Sequence, residues 1–116
     1  MSEIWRLSAV ELAARIRNRD VSATEAAQSA LARLSAANPA VNAVVDHRPE
    51  DVLAQAAAVD AALARGEDPG ILAGVPVTVK VNVDQAGYAT TNGVTLQKDL
   101  IACLLYTSDA ATICSV

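Results

Sequence analysis

From residue 75 the chain alternates without a break. Val75, Val77, Val79, Val81 and Val83 are separated by Pro76, Thr78, Lys80, Asn82 and Asp84. Successive side chains of a β-strand point to opposite faces, so this order predicts a strand with one wholly apolar face over residues 75–84. Pro76 has no N–H to give to a neighbouring strand and is tolerable only near the strand's start. Such a face needs cover, and a chain of 116 residues allows one ordinary domain at most to supply it.

What precedes the strand has helical period instead. Ser8 and Glu11 form a capping box: the serine oxygen accepts from the first turn and the glutamate reaches back. Leu12 and Ile16 then share a face, and this predicts a helix running to about Asn18. Ser22 and Glu25 repeat the device ahead of Ala23, Ala27, Leu31 and Leu34. Asn38 and Pro39 should stop that second helix. Residues 41–46 read as a short strand. Pro49 suits the first turn of a third helix, striped by Val52, Ala56, Val59 and Leu63 and ended at Gly66. After the valine strand, Gly87 begins a turn, and Ala89, Thr90, Thr91, Asn92 and Gly93 make a polar loop.

Composition narrows the function. Hydrophobic residues make up 53% and charged residues 19%, a globular balance. There is no Phe, and aromatics are 3%, so a core would be built from small side chains. The net charge is −4 with the nine Lys and Arg scattered. This leaves no basic patch for nucleic acid. Residues 69–79 are the longest uncharged apolar-rich run, too short to span a membrane. Glu3, Arg6 and Glu11 interrupt any signal-like start, so a cytoplasmic protein is the expectation. Cys103 and Cys114 suggest neither a disulfide framework nor a metal ligand set, and no metal or cofactor is expected. His47, between Asp46 and Arg48, reads as a loop residue.

Residues 103–116 continue none of these patterns. The run Cys103, Leu104, Leu105, Tyr106, Thr107, Ser108, Asp109, Ala110, Ala111 resembles the translation of a sequencing-library adapter. The expected division is therefore residues 1–102 as one part and 103–116 as an unrelated, poorly packed tail, with a divergent genuine terminus as the alternative.

Lys80 is the residue most able to carry chemistry. On alternation alone it is an ordinary lysine on a solvated strand face. Its surroundings change that. Leu72, Ala73, Gly74, Val75, Pro76, Val77, Thr78, Val79 and Lys80, then Asn82, Gly87, Thr90, Thr91, Asn92 and Gly93, resemble the segment that carries the catalytic lysine in the amidase signature family. The lead-in of helices, a short strand at Asn42 to Val45, an alanine-rich helix and a Gly-Pro loop is similar too. The resemblance runs from about Leu7 to Leu100. One departure is Val81, where many members have aspartate.

The resemblance implies an α/β fold: N-terminal helices plus the first strands of a mixed sheet, part of the amidase fold. It implies hydrolysis of the carbon–nitrogen bond of a small-molecule linear amide by a serine nucleophile, a bridging serine with a cis peptide bond, and Lys80 as base. A lysine serves as a base only when burial makes its charged form costly. Thr90, Thr91 and Asn92 would contact substrate in a complete site, or serve only as turn residues. The serines do not fit: Ser2, Ser8, Ser22, Ser29, Ser35, Ser108 and Ser115 lie in no Gly-Ser-rich segment, and none of the five glycines are adjacent. The expectation is a truncated amidase, inactive alone. The competing expectations are a small helix-rich binding module and part of an amidotransferase or allophanate-hydrolase relative.

Overall fold

The computed structural model describes residues 3–80, residue 96 and the backbone of residues 111–115. A short 3₁₀ turn, Ile4–Arg6, leads into helix α1, Ala9–Arg17. Helix α2 spans Ala23–Val41, strand β1 Asp46–His47 and helix α3 Pro49–Ala64. Strand β2 covers Pro76–Val79 and strand β3 Ala111–Ser115. The sheet order is β1-β3-β2, with β1 antiparallel and β2 parallel to β3. It is a mixed sheet behind N-terminal helices, as the α/β expectation required.

Both capping boxes are present in full, Ser8 with Glu11 and Ser22 with Glu25. Each occupies backbone N–H groups that a helix start leaves without partners. Leu12 and Ile16 are buried on α1, Ala23, Ala26 and Ala27 on α2, and Val52 and Ala56 on α3. Alanines at these positions let α2 and α3 approach closely, which is how a core without Phe can close. Helix α3 ends in a Schellman turn: Gly66 N–H donates to Leu63 O and Glu67 N–H to Ala62 O. Gly66 sits at φ +78° there, one place beyond the last capping residue, Arg65.

Four expectations are corrected. Pro39 lies inside α2, which runs on to Val41. In the last turn a proline forfeits one hydrogen bond, and the exit is made by Asn42 at φ 49° instead. Residues 41–45 are not a strand, and Asn38 engages the backbone of Ala43 and Val44 instead. Its Oδ1 accepts from Ala43 and Val44 N–H, and its Nδ2 donates to Val44 O. Only Asp46 and His47 pair in the sheet, so His47 is a strand residue rather than a loop residue. Finally, the tail expected to pack poorly supplies β3, the middle strand.

Long-range polar contacts clamp the helices. Asp60 of α3 accepts from the N–H of Ala23 at 2.7 Å and of Thr24 at 3.1 Å, and from the Thr24 hydroxyl at 2.7 Å. A carboxylate at a helix N-terminus meets both free donors and the positive end of the helix dipole. In the reverse sense, Arg19 donates to Leu63 O in the last turn of α3. Arg19 also takes the left-handed position that ends α1, at φ 64°.

Candidate active site

Lys80 follows β2 directly. Two backbone hydrogen bonds shape the turn that starts the strand: Ala73 N–H donates to Gly70 O, and Val75 N–H to Leu72 O. The Arg17 guanidinium also donates to Gly70 O, so the end of α1 fastens this loop. Gly74 then passes over α1 and α2 at φ +82°. A Cβ there would lie 2.8 Å from Ala23 Cβ and 3.1 Å from Ile16 Cδ1. Glycine lets the strand enter against the helices where no other residue would fit.

From Val77 to Lys80 the expected alternation holds, whereas Pro76 and Val77 are both half-buried. Val75 and Val79 are buried, Val77 is half-buried, and Thr78 and Lys80 are exposed. The ladder stops one residue earlier than Lys80. Lys80 is thus the first residue beyond the strand rather than a member of it, about 7 Å from Thr78 on the same side. Among the described residues no hydrogen bond or ion pair engages it. Thr90, Thr91 and Asn92, with residues 81–84 of the expected strand, lie outside the described residues.

Three serines are accounted for by local structure. The hydroxyls of Ser8 and Ser22 accept from Glu11 N–H and Glu25 N–H as helix caps. The Ser29 hydroxyl accepts from Trp5 N–H at 3.2 Å. Each of the three hydroxyls is thus engaged by a backbone donor. Among the described residues there is no cluster of three or more His, Cys, Asp or Glu able to hold a metal ion. Nor is any described helix long and apolar enough to cross a membrane.

Beside β2 lies an apolar cleft of about 490 Å³, bounded by the 3₁₀ turn, α1, α2 and the strand. Ile4, Leu7, Leu12, Val75 and Val77 form much of its wall. Trp5 stands at its rim, its ring flanked by the guanidinium carbons of Arg6 at 4.8 Å and Arg33 at 4.4 Å. No local pattern in the sequence signals the cleft, because its walls come from distant parts of the chain and meet only through the fold. Sequence reasoning misses Asp60 and Arg19 on the same ground: each acts across 36 residues or more.

Comparison with known proteins accords with this geometry. The family model described as Amidase matches residues 25–104. The chain is 44% identical over 99 residues to the indoleacetamide hydrolase of Bradyrhizobium diazoefficiens, covering 85% of this chain and 19% of that protein. It is 44% identical over 89 residues to one subunit of the glutamyl-tRNA(Gln) amidotransferase of Carboxydothermus hydrogenoformans, covering 77% of this chain and 18% of that one. A bacterial aryl acylamidase of the amidase signature family superposes with a TM-score of 0.84 at 25% identity, over 94% of this chain and 24% of the other. The chain therefore spans about a fifth of the length of the curated relatives it matches. Sequence and fold agree, and the chain belongs to the amidase signature family.

Proposed function

We propose that this chain carries the lysine-bearing part of an amidase that cleaves the carbon–nitrogen bond of a small linear amide, with Lys80 as the base. The observation that supports it most is the placement of Lys80 directly after β2, inside the stretch matched by the family. In the proposed reaction a neutral lysine takes a proton from a bridging serine. That serine takes one from the nucleophile, which attacks the amide carbonyl. Backbone N–H groups stabilise the oxyanion; as the carbon–nitrogen bond breaks, the proton held by the lysine returns through the bridging serine to the leaving amine, and water then releases the acyl group. Thr90, Thr91 and Asn92 are proposed to contact substrate, and no metal or cofactor enters the scheme.

Lys80 is exposed here, and Ser8 and Ser22 are engaged in caps. Residues 1–116 alone are therefore expected to show no amide turnover, and Lys80→Ala should change nothing in that assay. Lys80-dependent hydrolysis by the isolated chain would overturn this reading. The matches to amidotransferase subunits support a second reading, in which the amidase part works with other chains. A parent protein that hydrolyses amides unaided would exclude it.

We further propose that residues 1–102 are the amidase part and 103–116 a tail of separate origin. The end of the family match at residue 104 supports that division. The genomic sequence downstream of codon 102 tests it: continuation into a Gly-Ser-rich segment is expected, and the same tail encoded in the genome would refute it.

A further inference from the structure

The lysine strand begins against a stop. A Cβ on Gly74 would lie 2.8 Å from Ala23 Cβ. Neither of those atoms can turn aside, because a Cβ is fixed to its own backbone. The next nearest atoms, Ile16 Cδ1 at 3.1 Å and Cγ2 at 3.3 Å, belong to a side chain with rotatable bonds. Carbon atoms settle about 3.5–4.0 Å apart, so one methyl on Gly74 would part the strand's entry from α2 by about 0.7–1.2 Å.

The start of α2 is the fixed side of that contact. The N–H groups of Ala23 and Thr24 and the Thr24 hydroxyl all donate to Asp60 of α3, and Ser22 and Glu25 close a capping box around them. A displacement therefore falls on the strand. Lys80 stands six positions beyond Gly74, about 20 Å along an extended chain. Val75 and Val79 between them are buried, and close-packed side chains pass a shift on rather than absorb it. The pairing of β2 with β3 has one irregularity, between Val77 and Thr78, and slack would be taken up there.

We propose that Gly74 is a positioning residue for Lys80: its missing side chain lets the strand seat against Ala23, and that seat sets where the lysine stands. The consequence for turnover rests on the reading of Lys80 as the base. A catalytic group has to be held within about 0.5 Å of its productive place, and the displacement that a methyl would cause is larger.

The first measurement is made on the full 116-residue chain. In Gly74→Ala the backbone amide NMR signals should shift along the strand as far as Val79 and Lys80. Gly66→Ala, at a similar φ but with nothing within 4 Å, should shift only signals near the end of α3. Gly74→Ala combined with Ala23→Gly moves a methyl across the contact without adding volume, and should bring the Lys80 signal back toward its parent position. Ala23→Gly alone removes the stop without crowding, so its Lys80 signal should move even where Gly74→Ala fails to fold. Shifts that end at Val77, or a Lys80 signal that neither single variant moves, overturn the proposal.

The second measurement uses the Bradyrhizobium indoleacetamide hydrolase with its 99 matched residues replaced by those of this chain. There Gly74→Ala should lower kcat about 10–100-fold with KM unchanged, and Gly66→Ala should leave both as they were. The double variant should recover most of the lost kcat, although its alanine still carries the left-handed backbone. Turnover that Lys80→Ala abolishes and Gly74→Ala spares overturns the proposal. Turnover indifferent to Lys80→Ala, with the amide signals still moving, leaves the positioning standing and overturns Lys80 as the base.

Discussion

At the scale of single residues, two glycines with similar backbone angles separate strain from crowding. Gly66 and Gly74 lie at φ +78° and +82°, but a Cβ on Gly66 meets nothing within 4 Å, whereas one on Gly74 meets Ala23 and Ile16. Gly66→Ala should therefore cost about 1–2 kcal/mol, the penalty of the left-handed region alone. Gly74→Ala should add about 1–3 kcal/mol of overpacking to that. Urea unfolding of the two variants checks the difference, and equal midpoints would show that the helices yield to the extra methyl. Asp60 allows a second test. Asp60→Ala leaves three donors at the start of α2 without their acceptor, and a loss of about 1–3 kcal/mol is expected in the same experiment. The Gly66 cap is legible in the sequence, but the roles of Gly74 and Asp60 are not. Gly74 and Asp60 matter through contacts with α1 and α2 that lie 36 or more positions away, and no local pattern announces them.

Helices and strands divide by how local their determinants are. The capping boxes of α1 and α2 each lie within a single helical turn, and both are legible in the sequence as written. The buried stripes Leu12 and Ile16, and Val52 and Ala56, follow from spacing alone. The exit of α2 departs from expectation because Pro39 usually ends a helix, while the side chain of Asn38 decides the turn here. β1 exists only by pairing with β3, and β3 by pairing with β1 and β2, so neither is readable from its own residues. The α1 cap also predicts a pH response. The Ser8 backbone N–H, then its hydroxyl, donates to the Glu11 carboxylate and holds its pKa below the ordinary value. A carboxyl depressed in the folded state adds stability that is present above its unfolded pKa. That stability is lost as pH falls through the lower, folded value. Helix content should thus decline on acidification by less in Glu11→Gln than in the parent chain, and identical acid profiles would show that Glu11 plays no part in the response.

At the scale of the whole molecule, among the described residues, helices α1–α3 accompany a sheet whose middle strand is residues 111–115. Removing residues 103–116 should leave the helices folded and strip both β1 and β2 of their only described neighbour. The shortened chain is expected to melt earlier and to associate through its open edges, which size-exclusion chromatography and a thermal melt would register. An unchanged melt and a monomeric elution would mean that β3 contributes nothing. The fold as a whole is proposed to present Lys80 to an amide-cleaving site. The most direct measurement of that role is a chimera in which the matched residues of this chain replace the 99 equivalent residues of the Bradyrhizobium hydrolase. The chimera is expected to hydrolyse indoleacetamide, and Lys80→Ala within it to lower kcat by about 10²–10⁴-fold, the range of a lost general base. A chimera whose turnover survives Lys80→Ala would contradict the proposal.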